Sequence, residues 1–221
     1  VALAPSVAYD SLAMHLPAIR HYAVGGRLEP VLGLDYSYYP QGYEVLLAAV
    51  YGLAGQAGAQ VASLAFLALT AGVGYGIARR IGAGRSAALL GAALAATVPF
   101  LFWSGSVVKN DLAMSLFQLS ALYGLLRGGP ETRTRRLALA AFFVGSTFAI
   151  KHVAVYGAIP LGLLWLREWA RAESRWPALA LASVLAAAPP AFWFARAYAA
   201  TGNPIYPLSA AASARALPSI R

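Results

Sequence analysis

From residue 59 onward, long uncharged apolar runs alternate with short clusters of basic residues; before it, polar and aromatic residues interrupt shorter apolar stretches. Residues 59–78 and 86–108 carry no charge, and each can supply the roughly 20 residues a helix needs to cross a bilayer. Residues 112–126 form a shorter run whose end, Arg127, can snorkel to the interface. Runs 137–150 and 153–166 flank Lys151-His152, and 176–195 is the last, with Pro189-Pro190 placed to kink it.

The first 58 residues differ. They hold Asp10, Glu29, Asp35 and Glu44, and the tyrosines Tyr9, Tyr22, Tyr36, Tyr38 and Tyr39. Leu12, His15, Leu16 and Ile19 share one helical face, which predicts a short amphipathic helix over 12–24 ended by Gly25-Gly26. Residues 43–54 predict a second helix, too short to span and suited to the interface. The expected organisation is an extracytoplasmic loop over 1–58 and a bundle of about six transmembrane helices over 59–221. The fold class is therefore all-α: a polytopic transmembrane bundle with two short amphipathic or juxtamembrane helices in its first loop.

Composition sharpens this picture. Apolar residues make up 60% of the chain and charged ones 11%, against about 25% charged in soluble domains, so many apolar side chains face lipid. Cysteine is absent, which removes thiolate metal ligands and disulfides. The net charge of +9 reads as membrane topology and not as a nucleic-acid surface. Arg79, Arg80 and Arg85 form one basic loop. Arg127, Arg133, Arg135 and Arg136 form a second, and Arg167, Arg171 and Arg175 a third. Basic loops stay cytoplasmic, so an even number of spans separates them. That parity predicts a helical hairpin over 137–166 with Lys151-His152 at its outer turn; the alternative is one continuous helix burying Lys151 at mid-membrane. It also places the first 58 residues outside, after a preceding transmembrane helix expected in a longer protein.

On this topology Asp10, Glu44, Lys109, Asn110, Asp111, Lys151, His152 and residues 202–207 all reach the outer face. Asp10 and Asn110-Asp111 each have a capping reading; the functional reading of Asp10 is a held carboxylate acting as general base or metal ligand. Lys109 and Lys151 read either as interface snorkellers or as a cation pair for a phosphate. Tyr36, Tyr38 and Tyr39 read as an interfacial aromatic belt. His15 and His21, six apart, do not share a face and make no metal pair. The nucleotide-binding and zinc-hydrolase motifs are missing.

Several stretches together carry a resemblance. They are Tyr9-Asp10-Ser11-Leu12-Ala13-Met14-His15-Leu16-Pro17, Tyr39-Pro40-Gln41-Gly42-Tyr43-Glu44, Lys109-Asn110-Asp111-Leu112, Ile150-Lys151-His152 and Gly202-Asn203-Pro204-Ile205-Tyr206-Pro207. In order and spacing the chain resembles the GT-C membrane glycosyltransferases, in particular bacterial relatives of protein O-mannosyltransferases and of the lipid A aminoarabinose and galacturonic acid transferases. The resemblance implies an inverting transfer of a sugar from a polyprenyl-phosphate donor to a lipid, glycan or protein acceptor. It places that transfer on the extracytoplasmic face of the plasma membrane. It implies that Asp10 is the first-loop acid, serving as general base or as a ligand to a divalent metal. It further implies that Lys151 binds the carrier phosphate with help from Lys109, with Asp111, Glu44, His152 and Tyr39 in support. The chain departs from the pattern at Ser11, where many relatives have a second acid, at Gln41, where they have proline, and at His152, where tyrosine is common. Two other classes remain open from the residues: a transporter or lipid flippase, which requires ionisable groups near the membrane midplane, and a catalytically silent membrane subunit.

Overall fold

The computed structural model describes residues 3–126, 132–173 and 175–208, which are helical with no strand among them. Arg127 of the second basic loop lies outside the described residues. A π-helical turn, Ser11–His15, leads into α1 (Leu16–Gly25). The helix ends where expected, because Gly26 takes φ 62° and donates back to the Tyr22 carbonyl. The expected apolar face is corrected at one position: His15, Leu16 and Ile19 are buried, whereas Leu12 is 51% exposed. The wider π turn rotates the start of the helix and carries Leu12 off that face.

After a 3₁₀ turn, Asp35–Tyr38, comes α2 (Gly42–Arg80). The two expected helices of this region are joined end to end at Gly55, whose φ 60° and ψ −158° are not helical and suit only glycine. The expected single span over 86–108 is instead two helices, α3 (Arg85–Thr97) and α4 (Pro99–Ser106), bent by 63°. Pro99 gives the reason: it drives Val98 out of the helical region, to ψ 122°.

Beyond the bend lie α5 (Asp111–Leu125), α6 (Arg133–Phe148), α7 (Val155–Ala170) and α8 (Arg175–Thr201). Among the described residues two helices, α2 and α8, are long and apolar enough to cross a membrane, or three elements if α3 and α4 form one bent span. The expected bundle of about six counts the shorter helices α5, α6 and α7 as well. α5, α6 and α7 have 15, 16 and 16 residues, short of the roughly 20 a full crossing takes. Leu90, Phe100, Ile159, Leu163 and Val184 are large, apolar and exposed, as lipid-facing side chains are.

The helices α6 and α7 form the antiparallel hairpin that charge parity predicts. Trp165, late in α7, donates to the carbonyl of Leu137, early in α6, at 2.9 Å, and the chain reverses at Lys151-His152 through a 3₁₀ turn. The α6 helix lies between α5 and α8. Its approach to α8 depends on Gly145, where an added Cβ would sit 2.1 Å from the Ala186 carbonyl oxygen.

The arginine-rich connections gather at one end. Arg80 donates to the Leu126 carbonyl at 2.7 Å and lies over the Tyr123 ring. Arg133 reaches Glu168 at 3.7 Å. The opposite end holds Lys109, Lys151 and Arg196, the last bonded to the Ser37 carbonyl. We call these the arginine end and the lysine end.

Candidate active site at the lysine end

Four charged side chains from three distant segments meet in a row. Asp10, ahead of α1, contacts Lys109 at 2.8 Å. Lys109 also contacts Asp111 at 3.4 Å, and Asp111 contacts Lys151 at 2.6 Å. All four are half-buried, with Lys109 the most covered at 15% side-chain exposure. The capping readings do not hold: neither Asp10 nor Asn110 caps its helix with its side chain. An ammonium group competes better than a backbone N–H for the Asp10 carboxylate.

Burial works against the charge on Lys109, but its hydrogen bond to Asp10 and the charge of Asp111 outweigh it and hold the pKa above the usual lysine value. Burial would raise the pKa of Asp111; the bond to Lys151 and both lysine charges lower it instead. The signs define a pH window. The stabilisation from Asp111 is present above its ordinary value of 3.8 and is lost as pH falls through the lower folded value. That from Lys109 is complete below 10.5 and is lost as pH rises through the higher folded value. The gap in thermal stability between wild type and Asp111→Asn is therefore expected to be constant across neutral pH and to close only on acidification below that carboxylate range. Melting curves at a series of pH values check this, and a gap that closes near pH 6 to 7 would count against the pairing.

Beneath the row lies a buried polar cluster. Glu44 is fully buried, and its Oε1 accepts from His15 Nδ1 at 2.6 Å and from the Tyr36 hydroxyl at 2.8 Å. The Tyr36 hydroxyl accepts in turn from Asn110 Nδ2 at 3.0 Å. Tyr36 is thus not part of an interfacial belt. Burial first, and then the Glu44 charge, push its hydroxyl well above the usual tyrosine range, so it remains a donor. Glycine at position 42 permits this placement of Glu44. The Gly42 N–H donates to the Ala149 carbonyl at 2.8 Å, and a Cβ there would stand 2.7 Å from the same oxygen.

Aromatic rings flank the site. Tyr39 meets His152 edge-on at 6.0 Å between centroids, His152 stacks on Phe194, and Tyr206 touches both Tyr38 and Tyr39. Burial lowers the His152 pKa below 6.5, so its imidazole is neutral at pH 7. The expected outer-face residues therefore do converge. Sequence reasoning missed the pairing of His15 with Glu44 and the anchoring role of Asn110. A histidine on the buried face of a short helix was the available signal, since such a group requires a partner.

The donor set does not fit a divalent metal. Lys109 already occupies the space against Asp10, and among the described residues no three His, Asp or Glu side chains converge to hold an ion.

The fold is that of an all-α helical membrane protein, with a row of charged side chains at one end of the bundle. The profile of the dolichyl-phosphate-mannose-protein mannosyltransferase family matches residues 40–194, more than half of the chain, and the chain belongs to that family. It is accordingly a membrane glycosyltransferase of the mannosyltransferase type. No curated protein and no solved structure gives a significant match.

Proposed function

We propose that the chain transfers a sugar from a polyprenyl-phosphate donor to an acceptor hydroxyl on a lipid, glycan or protein, at the extracytoplasmic face of the plasma membrane, with inversion at the anomeric carbon. The observation that carries this reading is the row Asp10–Lys109–Asp111–Lys151, which sets two cations beside a carboxylate at one end of an apolar bundle. The donor's phosphate is an anion tethered to an isoprenoid chain, and a cation pair beside lipid-facing helices suits both of its parts.

In the proposed step, the acceptor oxygen attacks the anomeric carbon while the bond from that carbon to the phosphate oxygen breaks. The acceptor's proton passes to the Asp10 carboxylate, and the polyprenyl phosphate leaves with the bonding electron pair. A single displacement inverts the carbon. Lys151 and Lys109 stabilise the charge that develops on the departing phosphate, in a half-buried setting where fixed cations act more strongly than in water. A phosphate drawing on Lys109 also loosens its hold on Asp10 (2.8 Å), which makes that carboxylate a better base once the donor has bound. Asp111 holds the two lysines together, and Tyr39 and His152 border the space that the sugar would take.

The test is release of polyprenyl phosphate by the full-length protein in vesicles carrying polyprenyl-phosphate mannose and an acceptor mixture. Asp10→Asn is expected to lower release by about 10²- to 10⁴-fold, as loss of a general base does, with insertion into the membrane unchanged. Equal release by wild type and Asp10→Asn would remove Asp10 from the mechanism.

A further inference from the structure

Each of the four charged side chains in the row has an immediate chain neighbour locked by a hydrogen bond. Next to Asp10 is Ser11, fully buried, whose hydroxyl donates to the Val108 carbonyl at 2.9 Å. Val108 itself adjoins Lys109. Between Lys109 and Asp111 is Asn110, 1% exposed, whose Nδ2 contacts the Tyr36 hydroxyl at 3.0 Å and the Ile150 carbonyl at 3.4 Å. Ile150 adjoins Lys151. Tyr36 and His15 both bond to Glu44, and Gln41 donates to the Tyr36 carbonyl at 2.9 Å. The anchored residues are thus offset by one position from the charged ones.

This offset separates two tasks. A charged side chain that must receive a phosphate or a proton cannot also spend its bonding capacity on holding the backbone. A buried neighbour can do so, because removing its bonds would leave unpaired polar groups in an apolar surround. We infer that Tyr36 and Asn110, secured by Glu44 and His15, are positioning residues that fix Lys109, Asp111 and Lys151 for the departing phosphate. Tyr36 is the junction. Among the described residues its hydroxyl is the one group that both donates to Glu44 and accepts from Asn110, so it joins the first-loop cluster to the segments bearing the lysines. This inference rests on the proposed donor chemistry.

The test uses Tyr36→Phe, which deletes one hydroxyl and keeps the ring contacts with His15 and Tyr39. Turnover and donor KM are measured on the full-length protein in vesicles carrying polyprenyl-phosphate mannose, in the wild-type and Lys109→Ala backgrounds. In the wild-type background, kcat/KM is expected to fall about 10- to 100-fold, the scale of a misplaced catalytic group. In the Lys109→Ala background the same change is expected to cost several-fold less than in the wild type, because one of the groups it positions is already gone. A purely structural loss of active protein would reduce both backgrounds by the same factor, and that result overturns the inference. So does full activity of Tyr36→Phe while Lys109→Ala is impaired, a result that leaves the donor reading standing. A wild type that releases no polyprenyl phosphate overturns the donor reading and the inference together.

Discussion

Replacing Lys151 by alanine is expected to reduce turnover by about 10²- to 10³-fold, the range found on removing one preorganised group that stabilises developing charge. The geometry explains why the effect should be large. Lys151 stands at the turn of the α6–α7 hairpin with its ammonium 2.6 Å from Asp111, and Asp111 in turn contacts Lys109. Alanine removes one of the two cations and also leaves Asp111 answered by Lys109 alone. Lys109 would then be drawn from Asp10 toward Asp111, so the base and the leaving-group cation are both disturbed. Lys151→Arg keeps the charge and can bond a phosphate through its planar fork, but it does not put a compact ammonium against Asp111 as lysine does (2.6 Å), and it should recover part of the loss. The assay is polyprenyl phosphate release under saturating donor. Insertion and helical content, read by circular dichroism, should match the wild type, because the residue lies in a turn and is one-third exposed. Wild-type turnover by Lys151→Ala would place the phosphate elsewhere.

The second large effect is on stability. Glu44→Ala strips the shared acceptor from the buried His15 and the part-buried Tyr36. Breaking a buried pair by removing one partner costs about 3–5 kcal/mol, and here two donors lose their acceptor at once. The expected outcome is a marked drop in thermal midpoint in detergent, with loss of the long-range contact between α1 and α2. Glu44→Gln keeps an oxygen at the same place and should retain most of the stability, because a neutral acceptor still serves both donors. If Glu44→Ala melts with the wild type, the cluster contributes nothing to the fold, and its tie to Asn110 would have to be held by other means. The Gln variant makes the outcome informative even if the Ala variant fails to accumulate.

The hairpin shows how much a sequence can carry. The parity of the arginine clusters predicts a reversal at Lys151 over one long helix burying that charge, and the chain does reverse there. The break of residues 86–108 was equally within reach. Pro99 marks it, because proline breaks a helix that hydropathy alone reads as unbroken. The capping readings of Asp10 and Asn110 failed for another reason. A cap is a local bond, and both residues found stronger or better-buried partners far along the chain, Asp10 at Lys109 and Asn110 at Tyr36.

By itself, the sequence determined that this is a helical membrane protein, which residues gather at which end, and which acid and lysines are candidates for chemistry. Those follow from transfer free energies and charge placement, which add up residue by residue along a segment. Only the tertiary structure decided that Asp111 binds both lysines, that the Tyr36 hydroxyl bonds to Glu44, and that Asn110 ties the first loop to the hairpin turn. A hydrogen bond depends on a partner within about 3 Å, and here the partners come from segments that only folding brings together.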